Sequence, residues 1–444
     1  MAEPPQDWMS ELDELLRIPS VSADPERAGE VVRAAEWVRE FIRAAGGEAE
    51  VLETDRHPLV IGEFRASQGA DEAPTVIAYG HFDVQPEAPL ELWESPPFEP
   101  TVRDGWLYAR GVADDKGQLY ILLKAAALLA AEGALPVNVR FTCDGEEESG
   151  GHSIIDFLEA DERGGDACVI FDGNMLAPGK PAFFVATRGI AYFHVQVRTG
   201  EKDLHSGVFG GAAMNASHVL LQVLGAVLPQ DGEVPEPLRA GIVRPSQEEI
   251  EGWSELEPGA EALAAQGARP ADPRAAEDYY LRTCVEPAVD VHGVVGGEPK
   301  LQKTVIGVEA EANVSIRLVP GQDEKVIAAE MERLMRDAAP EGADVEIELI
   351  ASAPAALVQP DDPAIKLGQD AFERVIGTRP LLIRIGGSLP VMAALESKQI
   401  PTILTGFDLP EGNIHSPNER LPVDHIALGV ETAKELFRSL AELR

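Results

Sequence analysis

The sequence predicts an α/β protein in two parts: a larger domain with a central, mostly parallel sheet flanked by helices, and an inserted α+β domain. Short β-rich runs alternate with helical patterns up to about residue 187. After Thr187-Arg188-Gly189 the order becomes strand, helix, strand, helix, strand with polar outer faces, and the first pattern returns near residue 357. We therefore expect a discontinuous first domain, residues 1–188 and 357–444, interrupted by a second domain, residues 189–356.

Hydrophobic spacing and turn residues predict the elements of the first domain. Apolar residues at helical spacing predict a helix over residues 30–45, which ends at Gly46-Gly47. A β-rich run between Pro74 and Gly80 predicts a strand over residues 75–79. The alternation continues with a helix at 118–132 and strands at 137–143 and 167–171. Because ligands bind at the carboxyl ends of strands in such sheets, we expect the functional residues there.

The second domain and the return to the first domain follow from the same patterns. Its expected elements are strands at 192–198, 309–319 and 343–350, and helices near 213–228 and at 323–338. The segment 232–297 is rich in proline, glycine and charge, and its helical periodicity is weak. The first domain is expected to resume with a helix at 363–376, strands at 381–385 and 402–404, and a terminal helix from residue 424.

Length and composition fit two globular domains. The chain has 444 residues, of which 45% are hydrophobic, enough for two cores. It contains no run of 18 apolar residues, so no membrane partner is expected. The first seven residues lack the basic and apolar regions of a secretory signal. We expect a cytoplasmic protein.

Charge and cysteine content exclude further classes. The chain carries 76 acidic and 37 basic residues, a net charge of −39, so nucleic acid phosphates would repel it. This acidity indicates either simple solubility or attraction of cationic substrates and dications. The three cysteines are scattered, which argues against a disulfide framework and fits a reducing compartment.

Several acidic or histidine-containing motifs lie where strands or helices should meet loops. They are His81-Phe82-Asp83, Asp114-Asp115, Glu146-Glu147-Glu148, Asp172 and His415. Each has an ordinary structural interpretation, since histidines often follow strands and carboxylates often begin helices. Together they favour one site, because imidazole nitrogens and carboxylate oxygens bind borderline divalent cations. Two such cations about 3.5–4 Å apart form a hydrolytic centre.

The chemistry of such a centre suggests roles for some of these residues. Side chains two apart on a strand point the same way, so Asp83 could fix the tautomer of His81. One aspartate of the 114–115 pair could bridge both cations, and one glutamate of the triplet could take a proton from water. Phosphate-loop, His-Glu-x-x-His and Gly-x-Ser-x-Gly motifs are absent from the sequence.

Five motifs in order carry a family resemblance. They are Gly80 to Pro86, Ala113-Asp114-Asp115-Lys116-Gly117, Glu147-Glu148-Ser149-Gly150, Asp203-Leu204-His205-Ser206-Gly207 and Ile414-His415-Ser416-Pro417-Asn418-Glu419. Together they resemble the aminoacylase/carboxypeptidase/dipeptidase family of two-metal metallopeptidases. The nearest branch is that of carnosinase and the cytosolic non-specific dipeptidases, and the resemblance covers nearly the whole chain.

The resemblance implies a role for each motif residue of the first domain, here the metal-binding catalytic domain. One metal would be held by His81 and Asp172, the other by Glu148 and His415, and Asp114 would bridge them. Asp83 would orient His81, and Glu147 would be the general base and later the acid. The triplet also allows Glu146 and Glu147 as base and ligand, although the position before Ser149-Gly150 favours Glu147 and Glu148. The family also implies a cis peptide after Asp114.

The second domain resembles the family's lid and dimerisation domain, which implies a homodimer. His205 would reach the partner subunit's active site and stabilise an oxyanion. Arg317 would clamp the substrate's carboxylate, a task suited to a planar fork of donors. The loop of Gly386, Gly387 and Ser388 would contact the same carboxylate. The long segment 232–297 favours the dipeptidase branch.

The expected activity is metal-dependent hydrolysis of dipeptides or very short peptides with a free C-terminal carboxylate. The expected cofactors are two divalent metal ions per subunit, Zn or Mn, with Co as a further option. An N-acyl-amino-acid deacylase or a carboxypeptidase would use the same metals and stays open. A catalytically silent, metal-bound peptide-binding protein, and an acidic protein whose motifs are only helix caps, are the alternatives of other classes.

Overall fold

The structure, a computed structural model, describes residues 3–387 and 389–443 and divides into two units. The first unit comprises Met1–Val185, Val358–Ile383 and Ala394–Arg444, and the second comprises Ala186–Leu357 and Arg384–Ala393. The α/β fold class expected from the sequence, with its inserted α+β part, is confirmed.

A six-stranded sheet forms the centre of the first unit. Its strands are β1 (Glu48–Leu52), β2 (Leu59–Phe64), β3 (Thr75–His81), β6 (Asn138–Asp144), β7 (Ala167–Phe171) and β17 (Thr402–Thr405). Their order across the sheet is β1-β2-β6-β3-β7-β17. The pairs β6–β3, β3–β7 and β7–β17 are parallel, whereas β1–β2 and β2–β6 are antiparallel. The central strands β6 and β7 are buried along their whole length, as expected for strands covered on both faces.

Helices accompany this sheet. They are α1 (Gln6–Leu16), α2 (Ala28–Ala44), α3 (Lys116–Ala131), α4 (Ser153–Ala160), α11 (Pro363–Ile376) and α13 (Val423–Leu440). The Ala- and Leu-rich helix α3 is buried over most of its length because it is apolar around its whole circumference. A small antiparallel sheet contains β4 (Thr101–Arg103), β5 (Trp106–Tyr108) and β18 (Arg420–Pro422).

The register of the central strands brings three loops to one edge of the sheet. His81 at the end of β3 pairs with Asp144 at the end of β6, and Tyr79 on β3 pairs with Ile170 on β7. The segments that follow β3, β6 and β7 therefore begin side by side. They carry Asp83, the glutamate triplet and Asp172, so parallel pairing alone accounts for the meeting of these motifs.

The second unit is an antiparallel α+β structure. Its main sheet has the order β11-β13-β9-β14 and contains β9 (Gly189–Arg198), β11 (Ala288–Val295), β13 (Glu309–Leu318) and β14 (Asp344–Ala353). Its other elements are β10 (Leu204–His205), α5 (Ser206–Phe209), α6 (Ala216–Gly225), α7 (Gln247–Gly252), α8 (Gly259–Ala265), α9 (Tyr279–Cys284), β12 (Val305–Ile306), α10 (Glu324–Ala338) and β15 (Ala356–Leu357). One face of the sheet packs on α6 and α10 through residues such as Phe193, Val314 and Met331.

Three elements lie where the chain passes between the units. They are β8 (Ala182–Thr187), β16 (Leu381–Arg384) and α12 (Pro390–Ser397). The expected domain bounds were 188 and 357, whereas the units change at 185/186 and 357/358. Residues 384–393, expected in the first domain, belong to the second unit. The physical reason is visible at Arg384, which forms a buried ion pair with Glu249, and at Ile385, which donates its N–H to Ala186 O.

Several elements, among them α1, α4, β1, β2 and β11, were not predicted from the sequence, whereas the predicted elements differ from the structure mainly at their ends. Strand β3 continues through His81, and α3 begins at Lys116, two residues before its predicted start. The segment 232–297 contains the helices α7 to α9, which its weak periodicity did not predict, since these helices have only six or seven residues. Within residues 3–387 and 389–443, no helix has both the length and the apolar character needed to cross a membrane.

Candidate metal centre

Asp114 occupies the middle of a cluster of imidazoles and carboxylates in the first unit. Its Oδ1 lies 3.0 Å from His81 Nε2, and its Oδ2 lies 3.0 Å from His415 Nε2. Each carboxylate oxygen therefore faces a different histidine. Asp114 is placed here by the loop before α3, and His415 by a loop in which its own backbone has a positive φ of 58°.

The cluster divides into two ligand groups that share Asp114. His81, Asp114 and Asp172 form one group, and Asp114, Glu148 and His415 form the other. Within the groups, His81 Nε2 lies 4.0 Å from Asp172 Oδ1, and His415 Nε2 lies 3.1 Å from Glu148 Oε2. Tetrahedral ligands about 2.1 Å from one ion are about 3.4 Å apart, so these spacings suit two divalent cations. The sequence-predicted ligands are thus brought together as two sets with one shared carboxylate.

The charges of the cluster also suit added cations. Burial would lower the pKa of His81, but its hydrogen bonds to Asp114 and Asp83 raise it above its usual value. Hydrogen bonds to Asp114 and Glu148 raise the pKa of His415 to about 10. Burial and the neighbouring Asp114 raise the pKa of Asp172. These pKa shifts arise because several carboxylates lie close together in a partly buried site. Bound dications would supply positive charge that balances these carboxylates.

Asp83 lies behind His81 and connects two motifs. It is fully buried, and its Oδ1 lies 3.4 Å from His81 Nδ1, which also lies 3.1 Å from the backbone oxygen of Asp83. Its Oδ2 accepts hydrogen bonds from Ser22 Oγ at 2.6 Å and from the backbone N–H of Glu148 at 3.1 Å. This position is compatible with the predicted role in orienting His81. The hydrogen bond from Glu148 also fixes the position of the turn that carries the three glutamates.

The three consecutive glutamates have different surroundings. Glu146 is fully buried, and its carboxylate accepts the backbone N–H groups of Ser153 at 2.9 Å and His57 at 3.3 Å. Glu148 instead lies in the ligand cluster, where Gln85 Nε2 donates to its Oε2 at 2.8 Å. This geometry supports the assignment of Glu148 rather than Glu147 as ligand, and it gives Glu146 a structural task.

Glu147 begins the short 3-10 turn between Glu146 and Gly150. Burial raises the pKa of Glu147 to about 7; the nearby His81 opposes this shift, and the carboxylates of Glu148 and Asp114 add to it. A carboxyl group that titrates near neutral pH can both take and give a proton there. The chemistry of Glu147 therefore fits the predicted acid–base role.

Two further residues support the cluster without having been assigned a role from the sequence. Asp115 accepts the backbone N–H of His81 at 3.0 Å, and its side chain does not cap helix α3. Glu419 is buried and accepts the backbone N–H groups of Gly111, Ala113 and Asp114. Both belong to motifs that the sequence singles out, but their partners become visible only in the fold. The Asp114-Asp115 peptide is cis.

The remaining predicted site residues belong to the second unit or lie outside the described residues. His205 Nδ1 accepts the backbone N–H of Gly207 at 3.0 Å, so in the neutral imidazole Nε2 carries the proton. Arg317 lies on β13, and Gly387 follows β16. Ser388 lies outside the described residues. The roles expected for these four residues stay predictions.

Comparison with known proteins identifies the family. The model of peptidase family M20/M25/M40 matches residues 77–439, a range that contains every residue of the ligand cluster. The chain belongs to this family. The resemblance to a metallopeptidase family, expected from five motifs, is thereby confirmed, and with it the assignment of the chain to the hydrolases.

Two relatives and one solved structure of the M20/M25/M40 family illustrate the similarity. The Cys-Gly metallodipeptidase dug1 of Schizosaccharomyces pombe is 28% identical over 98% of this chain and 96% of the relative. The Beta-Ala-His dipeptidase of Homo sapiens is 28% identical over 87% of this chain and 78% of the relative. The crystal structure of human carnosine dipeptidase 1 aligns with a TM-score of 0.74 at 26% identity, over 98% of this chain and 96% of that chain.

Proposed function

We propose that this chain is a metal-dependent dipeptidase that hydrolyses dipeptides or very short peptides with a free C-terminal carboxylate. The observation that carries the proposal is the pair of ligand groups that share Asp114. Membership of peptidase family M20/M25/M40 supports it, as does the similarity along 98% of the chain to a Cys-Gly metallodipeptidase. We further propose that it acts in the cytoplasm, without nucleic acid or membrane partners.

The proposed cofactors are two divalent cations, Zn or Mn, with Co as a third option. His81 and Asp172 would hold one, Glu148 and His415 the other, and Asp114 both. When bound, the cations would lower the pKa of the attacking water and polarise the peptide carbonyl. Asp83 would keep His81 in the orientation that presents Nε2 to the site.

Glu147 is the proposed carrier of the proton. One of its carboxylate oxygens would take a proton from the attacking water and later deliver it to the leaving amine nitrogen. Burial raises the pKa of Glu147 to about 7, whereas the charge of bound cations would lower it and so favour the carboxylate that accepts the first proton.

The second unit is proposed to act as a lid and dimerisation domain. In a homodimer, the Nε2 proton of His205 would be donated to the developing oxyanion in the partner subunit's site. Arg317 would bind the substrate's carboxylate together with Gly387 and Ser388. A charged fork on a rigid strand would hold the scissile bond at a fixed place relative to Glu147.

A runner-up within the same chemistry is an N-acyl-amino-acid deacylase or a carboxypeptidase. Activity can be restored metal by metal after chelation and measured on matched substrates with free and acetylated amino termini. We expect two ions per chain at full activity and a preference for free amino termini. A preference for the acetylated substrates would replace the dipeptidase proposal by the deacylase, and a chain without bound metal would reduce the motifs to helix caps.

Glu147→Gln tests the assignment of the base. We expect this variant to keep both metals, since Glu147 is not a ligand, and to lose essentially all turnover, since the amide cannot accept the proton. Metal content by elemental analysis and turnover on the best dipeptide are measured together. Glu94→Gln, at an exposed glutamate, is the matched control and should behave as wild type. Substantial turnover of Glu147→Gln would remove Glu147 from this role, and silence of the wild type on all substrates would favour a peptide-binding protein.

A further inference from the structure

Arg188, directly before β9, is a buried arginine that forms no ion pair with a carboxylate of the described residues. Four arginines are buried among the residues that the structure describes, and three of them form ion pairs with carboxylates at 2.5–2.7 Å. The three pairs are Arg110 with Glu419, Arg140 with Asp161 and Arg384 with Glu249. Arg188 is only 7% exposed, yet no carboxylate of residues 3–387 or 389–443 forms an ion pair with it.

The hydrogen bonds of Arg188 satisfy only part of its guanidinium group. Its Nη2 donates to the backbone oxygens of Glu286 at 2.5 Å and Arg282 at 3.3 Å, just at the end of α9. Its Nε is buried without a partner, and its Nη1 forms no hydrogen bond to the described residues. Burial lowers the pKa of Arg188 to about 10, so the group is still charged at neutral pH. A buried charge with no carboxylate in direct contact is costly unless an anion arrives from outside.

Arg188 lies close to Arg317, a residue of the neighbouring strand β13. Arg188 directly precedes β9, in which Ile190 pairs with Arg317 on β13 and shares a face with it. The charge of Arg317 also lowers the pKa of Arg188, so the two guanidinium groups lie near each other. The opposite face carries the core residues Ala191 and Ile316. Within the described residues Arg317 also has no ion pair, and Asp290 on β11 attracts the charge of Arg188 without forming an ion pair with it. The two neighbouring cations therefore lack a carboxylate in direct contact.

A third observation links Arg188 to the glycine loop. The backbone N–H of Arg188 donates to Gly387 O at 2.8 Å. Next to Gly387, a Cβ built on Gly386 would lie 3.6 Å from Thr283 O in α9. The loop therefore also adjoins α9, the helix whose C-terminal end accepts hydrogen bonds from the side chain of Arg188. The loop, α9 and the two arginines therefore form one local cluster of the second unit.

We propose that Arg188 is a second cationic residue for the free carboxylate of the substrate, acting beside Arg317. The inference rests on the proposed function, in which Arg317 and the loop of Gly386 and Gly387 bind that carboxylate. It adds a residue that no motif assigned to this task, and it gives a reason for an unpaired buried charge. It also gives the segment 232–297 a part in specificity, because the carbonyl oxygens that orient Arg188 belong to it.

The test compares a dipeptide with its C-terminal amide. The ratio of kcat/KM for the free acid to that for the amide is measured in wild type, Arg188→Met and Arg188→Lys. Because a hydrogen-bonded charge contact is lost, we expect Arg188→Met to reduce this ratio about tenfold or more, mainly through KM of the free acid. Arg188→Lys keeps the charge and should retain a larger part of the ratio. Arg140→Lys, at a buried arginine with its own carboxylate in the first unit, is the matched control and should leave the ratio unchanged.

A purely structural role of Arg188 predicts a different result. Both substrates would then lose activity in proportion, together with a lower thermal unfolding midpoint, and that outcome overturns the proposal. If Arg188→Met does not fold, Arg188→Lys is used in its place: a ratio of free acid to amide below that of wild type supports the proposal, and an unchanged ratio contradicts it. In the double variant with Arg317→Lys, the effects on the ratio should be non-additive, because both residues bind one group. Additive effects would place the two arginines at separate anions and contradict the proposal.

A binding measurement separates this inference from the proposed function. Calorimetric titration of Glu147→Gln with the dipeptide and its amide reports carboxylate recognition without turnover. If the wild type prefers N-acyl amino acids, the same pairs of free acids and amides are used. Binding that favours the free acid and loses this preference in the Arg188→Met background supports Arg188 even if no dipeptide is hydrolysed. Equal binding of acid and amide before the change at Arg188 overturns it.

Discussion

Glu419→Gln is the most informative perturbation of the ligand cluster outside the ligands themselves. The carboxylate of Glu419 collects four donors: its Oε1 accepts the N–H groups of Ala113 and Asp114, and its Oε2 accepts Gly111 N–H and Arg110 Nη1. The carboxamide has one oxygen and one NH2 group, so two donors must face another donor. At about 1–3 kcal/mol for each buried unsatisfied group, the metal-free protein should lose about 2–6 kcal/mol of stability.

The assay measures both stability and metal affinity. The change is read as a shift of the urea unfolding midpoint of the metal-free protein, with Glu94→Gln at a surface ion pair as control, for which at most about 1 kcal/mol is expected. Since the N–H of Asp114, the proposed shared ligand, is one of the four donors to Glu419, metal affinity should fall about 10–100-fold. A Glu419→Gln protein as stable as the Glu94→Gln control, with unchanged metal affinity, would refute the reasoning.

Three further predictions concern the stability of the structure that surrounds the site. Gly117→Ala should be strongly destabilising and raise the fraction of insoluble protein on expression, because an added Cβ would lie 2.0 Å from the backbone oxygen of Val112, whereas Gly29→Ala, with open space, should not. Asp408→Asn should flatten the pH dependence of stability. Burial raises the pKa of Asp408 to about 8, so the native state keeps a proton that the unfolded state releases. The stability contributed by this group therefore declines from about pH 4 to pH 8. Urea midpoints at pH 5 and pH 8 measure this, and an equal decline in both proteins would exclude Asp408 as its source. Asp115→Asn should be tolerated, with little change in solubility or in the urea midpoint of the metal-free protein, since the amide oxygen can still accept the N–H of His81; a large loss of stability would show that the charge of Asp115 is needed.

Much of the fold could be predicted because its elements have strong local signals. The helix at Pro363–Ile376 matches its predicted bounds, since Asp362 and Pro363 begin it and Gly377 ends it with a positive φ of 86°. The strand Ala167–Phe171 matches as well, being a short apolar run bounded by polar residues. The short helices α7 to α9 could not be predicted, because six or seven residues carry too little periodicity, and tertiary contacts such as Glu249 with Arg384 stabilise them.

The candidate site divides in the same way between local and distant information. The motifs around His81, Asp114 and His415 could be recognised one by one, because each is a short run of unusual composition at the end of an element. The task of Glu146 could not be predicted, since it depends on the N–H groups of His57 and Ser153, the first of which is 89 residues away. Arg188 gave no signal either, because a lone arginine before a glycine does not show that it is buried.

The sequence by itself determined the kinds of donor atoms, their order along the chain and the strand ends that carry them, because hydrophobic periodicity and turn residues are local properties. Only the tertiary structure decided that the two oxygens of Asp114 face different histidines, and that Glu419, 305 residues further along the chain, holds the N–H of Asp114. These contacts join segments far apart in the chain: the antiparallel pairing of β18 with β5 brings Glu419 to Asp114, and His81 ends the parallel strand β3. Distances between such segments depend on the packing of the whole sheet, and no local pattern contains them.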